Sequence, residues 1–184
     1  MTELATLAGG VEWDRVAEWN DTWALAVVFG IASVPWTYGF IAGSVPLWPA
    51  FIASATYYAA GDGLPALARG YAANAAGIGH AAATLALVGA VDGGLLTLSL
   101  VVGAFMFLAS LHDFLPLLSF TPGGFFGYAT AFSVHAAGRT VLFSGLAGET
   151  AATAIAMLIG AAVGIATDVA GDRLAGEYSP VRQC

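Results

Sequence analysis

Six apolar runs joined by short connectors dominate this sequence, and they leave it few ways to fold. The runs cover residues 23–43, 45–60, 70–91, 94–111, 114–137 and 150–170. Later connectors read GDGLPALAR, DGG, HD and GRTVLFSGLAGE. A helix that crosses a bilayer needs about 20 apolar residues, and most of these runs meet that length. A soluble domain would coat itself with about a quarter charged residues. Here 9% are charged against 59% hydrophobic, with a mean hydropathy of +0.81. Most of the surface must therefore face lipid. The fold class implied is an all-α integral membrane protein with six membrane segments in one domain, residues 23–170.

The charges set orientation and exclude a class of partner. All five basic residues are arginines, and the net charge is −7. A nucleic-acid partner needs a basic face to neutralise phosphate, so none is expected. With a cytoplasmic N-terminus, Arg15, Arg69, Arg173 and Arg182 fall inside and Arg139 outside, as the positive-inside bias requires. The expected localisation is a cell membrane, inner or plasma, crossed several times with both termini cytoplasmic. No cleavable signal peptide is expected, because residues 1–22 are acidic rather than basic followed by an apolar run. That tail carries Trp13 and Trp19 ahead of Trp23 and reads as an interfacial collar. Residues 171–184 read as a cytoplasmic tail ending in the single cysteine, Cys184.

The second and fifth runs echo one another. FIASATYY (Phe51 to Tyr58) aligns with FFGYATAF (Phe125 to Phe132) at an offset of 74, pairing Phe51 with Phe125, Ala55 with Ala129 and Thr56 with Thr130. The same offset pairs Val27 and Val28 with Val101 and Val102. An offset of 79 pairs Leu67, Ala68, Ala72 and Ala73 with Leu146, Ala147, Ala151 and Ala152. The two octapeptides each lie in the middle segment of a three-segment half, residues 23–91 and 94–170. Three crossings is an odd number, so the second half enters from the opposite side. The halves are then inverted repeats, an architecture recurrent in transporters.

Both middle runs carry prolines: Pro46 and Pro49 in one, Pro116 and Pro122 in the other. Proline lacks an N–H and clashes with the preceding turn, so it frees a carbonyl when inside a helix. A freed carbonyl at membrane depth must be buried in protein or line a wet cavity. The expected path therefore runs between two short or broken segments. Its candidate lining is Pro49, Phe51, Thr56, Tyr58, Thr121, Pro122, Gly123, Phe125 and Thr130, with Phe51 and Phe125 as an apolar constriction. His80, alone near the middle of the third run, adds an ionisable group where hydrocarbon cannot solvate one. His112 and His135 fall at predicted membrane edges, where anchoring or helix termination is expected.

The stretches LLSFTPGGFFGYATAF (Leu117 to Phe132) and LWPAFIASATYYAAGDG (Leu47 to Gly63) carry a family resemblance. The features are Leu-Leu-Ser-Phe before Pro122-Gly123, then Phe125, Gly127 and Ala129-Thr130, and in the first half Trp48, Phe51, Tyr58, Ala59 and Gly61. On these the chain, from about Trp23 to Asp168, resembles the small prokaryotic inner-membrane proteins catalogued as domain of unknown function 1097. The resemblance implies a multi-span membrane protein and assigns no catalytic residue.

No nucleophile elbow, phosphate loop or dinucleotide fingerprint occurs in a suitable context, and the histidines lack metal-ligand spacing. No enzymatic activity, cofactor or metal is expected. The leading expectation is a channel or facilitator for a small neutral or weakly polar solute. An ion-coupled secondary transporter is the alternative, and a non-transporting accessory protein the third. Gly39…Gly43, Gly123…Gly127 and Gly160…Gly164 fit GxxxG packing, within the bundle or in a homo-oligomer.

Overall fold

The computed structural model describes residues 20–178, and the tail carrying Trp13 and Trp19 and the end carrying Arg182 and Cys184 lie outside that range. Six helices follow in order: α1 (Asp21–Ala42), α2 (Trp48–Ala60), α3 (Gly63–Ala90), α4 (Leu95–Leu111), α5 (Thr121–Ala136) and α6 (Gly145–Tyr178). A 3-10 turn, His112–Phe114, extends α4. Four helical stretches are long and apolar enough to cross a membrane: Asp21–Ala42, Gly63–Ala90, Leu95–Phe114 and Gly145–Gly176. Large apolar side chains such as Ile31, Leu95, Leu100 and Phe107 stand exposed on them, as lipid-facing surface does. The chain is a multi-pass membrane protein.

The two middle helices are short rather than broken. At 13 and 16 residues, α2 and α5 rise only about 20 and 24 Å, less than a bilayer core of roughly 30 Å. Each begins one residue before a proline, Trp48-Pro49 and Thr121-Pro122. In the first turn the missing N–H has no intrahelical partner to lose, so proline starts these helices instead of interrupting them. The expected freed carbonyls in mid-segment are not formed. Pro35, by contrast, lies inside α1, which runs on through it.

Several boundaries differ from the apolar runs. Helix α3 begins at Gly63, seven residues before the run at 70. Its first turn accepts Pro65, and the Arg69 guanidinium donates to the Ala60 carbonyl at the end of α2, so the charge caps one helix while lying within the next. Gly61, at φ 119°, makes the two-residue turn between them. Residues 115–120 lie outside the helices although the fifth run includes them. Helix α6 extends well beyond the run at both ends.

The described residues divide into two units, Val34–Ala166 and a smaller one formed by 20–33 with 167–178. In the smaller unit, Asn20 caps α1 by accepting from the Thr22 and Trp23 amides at 3.0 and 3.2 Å. There Gly171 brings α6 against Leu25 of α1.

The larger unit is built on two glycine crossings. On α3, Gly77 lies so close to α5 that a Cβ would overlap the Gly124 carbonyl. On α5, Gly127 is equally close to the carbonyl of Asn74. On α6, Gly160 lies against the Ala50 carbonyl of α2, and Gly164 against the Tyr57 ring. Without hydrophobic drive between helices in lipid, close backbone approach of this kind is what holds them. Two of the three GxxxG pairs thus pack helices inside the unit. The third does not: Gly39 has open space beside it, and Gly43 meets its own helix end and Val45.

Burial recurs between the helices. From Pro49 to Ala60 and from Gly123 to Val134, an offset of 74, buried and exposed positions coincide except that Ile52 is half-buried where Phe126 is exposed. Residues 70–83 of α3 and 153–166 of α6 coincide at an offset of 83, apart from Ala76 and Ala83 against Ile159 and Ala166. Residues 25–36 of α1 and 98–109 of α4 coincide at an offset of 73. The alignment at 79 is therefore four residues out of structural register, about one helical turn, and that of Val27 and Val28 is out by one.

Candidate functional site at the crossing of the short helices

At the crossing of α2 and α5 a half-open hollow of about 300 Å³ is lined by Ile52, Ala55, Phe126, Ala129, Thr130 and Ser133. Its walls are almost wholly apolar. Among the residues singled out from the sequence, Thr130 reaches this lining; Thr56, Phe51 and Phe125 are not part of it.

Thr56 is fully buried behind it. Its hydroxyl donates to the Ile52 carbonyl at 2.8 Å and lies 3.4 Å from Asn74 Oδ1 of α3. Thr130 holds the equivalent place on α5 and is equally buried, but its hydroxyl has no partner. Nor has the amide nitrogen of Asn74. Phe51 is partly exposed and lies against Trp36, ring centroids 4.5 Å apart, while Phe125 is partly exposed on α5. The Tyr58 hydroxyl donates to the Gly164 carbonyl of α6 at 3.2 Å. Pro49, Thr121 and Pro122 occupy first helical turns, and Gly123 is buried against Ala73 and Phe120.

His80, on α3, meets α4 and the turn that follows it. Its ring is 5.1 Å from that of Phe105 on α4 and 5.0 Å from that of His112. The 3-10 turn after α4 carries His112 back toward α3, so the two imidazoles are neighbours although the sequence places His112 at a membrane edge. The Nδ1 atoms of both are buried and without a partner. His135 ends α5 and pairs with Glu149 at the start of α6, Nδ1 to Oε2 2.6 Å.

The sequence passed over other polar contacts between helices. Ser54 donates to the Gly160 carbonyl at 2.6 Å, Tyr71 to the Ala154 carbonyl at 3.3 Å, and Thr84 and Tyr128 share a hydroxyl bond of 2.9 Å. Asn74 carried a usable signal, a lone amide in an apolar span. Ser54 and Tyr71 carried none, since such residues occur on any helix. Among the described residues no group of three or more His, Cys, Asp or Glu is placed to hold a metal ion.

A family model for proteins of unknown function, DUF1097, matches residues 26–172, which covers four of the described helices whole and all but the start of α1 and the end of α6. The chain belongs to the DUF1097 family. No curated protein and no solved structure matches it. The match spans both short helices and the whole hollow, so the crossing belongs to the shared region of DUF1097 and is no local addition.

Proposed function

We propose that this DUF1097 member is a membrane facilitator for a small neutral or weakly polar solute, built from two inverted three-helix repeats, α1–α3 and α4–α6. The observation that carries the proposal is an exchange of packing partners. The short helix of each half lies on the last helix of the other: Ala50 of α2 against Gly160 of α6, and Gly124 of α5 against Gly77 of α3. Ala50 and Gly124 correspond at the offset of 74, Gly77 and Gly160 at 83, so the two contacts are one contact made twice. A two-fold axis relating the halves generates such pairs.

Counterparts also meet each other, as they must beside such an axis. Tyr71 bonds to its own counterpart, Ala154. The hollow is lined by the counterpart pairs Ile52 with Phe126 and Ala55 with Ala129. Repeats with an odd number of crossings are inverted, and their substrate paths follow the axis between short or interrupted segments. The connectors after α2 and α4 share one hollow, with Gly61, Asp62, Pro116 and Leu117 in its wall, as six crossings would require. Side-chain charges near the crossing are absent from the lining, which favours a neutral solute over an ion.

Stopped-flow swelling of proteoliposomes with a panel of small solutes tests the activity. Permeability above empty vesicles for at least one neutral solute is expected; none for any would refute it. Single cysteines at Asp62 and Arg139, in a chain carrying Cys184→Ser, test the inversion. They should react with an impermeant reagent from opposite sides of the membrane; reaction from the same side overturns it.

A further inference from the structure

We propose that His80 and His112 form a binding site for a small neutral solute that both donates and accepts a hydrogen bond, closed in the conformation described. The two rings stand 5.0 Å apart and tilted by 40°, and neither Nδ1 has a partner although both are buried. A neutral imidazole offers one N–H and one lone pair. Two neighbouring rings with unused Nδ1 atoms can present a donor and an acceptor to a guest between them when one carries its proton on Nδ1 and the other on Nε2. In an apolar surround an unmatched polar atom is unfavourable, and a guest bonding to both removes two such losses at once.

The surroundings narrow the class of guest. Phe105 packs beside His80, and Gly124 approaches the Nδ1 of His112 without a side chain; a Cβ there would be 3.9 Å from that atom. Asp113 follows His112 in sequence but is exposed. With no buried carboxylate beside the rings, a cation has no counter-charge. With one ring protonated on Nδ1 and the other on Nε2, a molecule that only accepts or only donates leaves one imidazole unmatched. The class that fits is neutral, small and two-sided, of the kind represented by water, urea or acetamide.

In the closed state both Nδ1 atoms are sealed from solvent, so the rings must part for a guest to enter. Helix α4 ends in a single 3-10 turn at His112, followed by non-helical residues 115–120, so that end of the helix is the freer of the two supports. The pair has no equivalent in the other half. At the offset of 83, His80 corresponds to Val163, and at 73 His112 corresponds to Gly39. The site is thus confined to one side of the proposed axis. It deepens the transport reading by naming the solute class, yet its occupancy is measurable without flux.

The test uses the full-length protein in bilayers with isotope-labelled histidine, at about pH 8, above the ordinary histidine range. Urea and acetamide are the probes, and dimethyl sulfoxide, which accepts but does not donate, is the control. The Nδ1 resonances of His80 and His112 should both move saturably with either probe and remain still with the control. His80→Phe should abolish the response at His112, and His80→Gln should retain part of it. Silence of both resonances, movement of only one, or an equal response to dimethyl sulfoxide overturns the site. If the variants do not fold, the wild-type spectra decide alone. Urea flux with silent resonances refutes this site and leaves the transport reading standing. Responsive resonances without flux do the reverse.

Discussion

Substitution of Gly77 by alanine tests the packing on which the fold depends. The added Cβ would overlap the Gly124 carbonyl, and the Tyr128 amide nitrogen would lie 2.7 Å from it. Both neighbours are helix backbone, so neither yields as a flexible side chain would. Relief requires α3 and α5 to part, with loss of contact along the crossing. Overpacking in a well-packed interior costs about 1–3 kcal/mol, and rigid backbone on the facing side argues for about 3. Gly79, two residues on, has nothing within 4 Å of the position a methyl would take. There alanine should be neutral or gain about 0.5–1 kcal/mol, because glycine is a poor helix former. The two variants should therefore differ by roughly 3–4 kcal/mol. Thermal unfolding followed by tryptophan fluorescence in bicelles measures this, and at about 2–4 °C per kcal/mol the difference is of order 10 °C. Gly160→Ala, the counterpart on α6, should lose as much as Gly77→Ala. If Gly77→Ala and Gly79→Ala unfold together, the close crossing is refuted. If Gly77→Ala is costly but Gly160→Ala is not, the equivalence of the two crossings is refuted instead.

Ser54→Ala removes the buried hydroxyl that donates to the Gly160 carbonyl, and should cost about 1 kcal/mol in the same assay. No change would mean that water replaces it and that the α2–α6 contact is wet. Tyr128→Phe breaks the bond to Thr84 with a similar expected loss, and Thr84→Val should add little once Tyr128 is gone; a fully additive double variant would show that the two hydroxyls act separately. Arg69→Met leaves the Ala60 carbonyl without its guanidinium, with an expected loss of about 1.5 kcal/mol; unchanged stability would show that carbonyl to be solvated. Met157→Asn supplies beside α5 the amide that Asn74 supplies to α2. It should be less damaging than Met157→Ala, whose cavity costs about 2–5 kcal/mol, and equal damage would show that Thr130 gains no partner.

The sequence was most informative where apolar runs met helix-ending residues. The start of α4 after DGG and the end of α2 before Gly61 were both readable to within a residue. It misled where a charge or a proline served a helix instead of ending it. Arg69 looked like part of a connector because its partner, the Ala60 carbonyl, is supplied by the turn that brings α2 and α3 together. The apolar residues 115–120 looked helical because hydropathy cannot distinguish a lipid-compatible loop from a span.

The echo between FIASATYY and FFGYATAF located the two short helices and their register, since aromatic and threonine positions there are distinctive. The third helices misaligned by a turn because small residues recur every three or four places and match almost equally well at neighbouring turns. Thr56 and Thr130 were legible as a pair, but not that one is bonded and the other orphaned. Thr56 donates to the Ile52 carbonyl and has Asn74 of α3 nearby. Thr130 makes no corresponding bond to Phe126 and has Met157 of α6 as the counterpart of Asn74. The approach of His112 to His80 was not legible at all, because it depends on the direction taken by the turn after α4.

The contact between Tyr71 and Ala154 has a further consequence. Geometrically the two residues are counterparts, but chemically the bond runs one way, since alanine has no side-chain donor to return. In a perfectly symmetric chain, the conformation open to one face of the membrane and that open to the other would be equal in energy. If the halves are related by the proposed axis, a one-way bond beside it adds to the inequality. Under the proposed transport reading, whichever tilt of the halves shortens this bond would be favoured, giving the protein a preferred side from which to load.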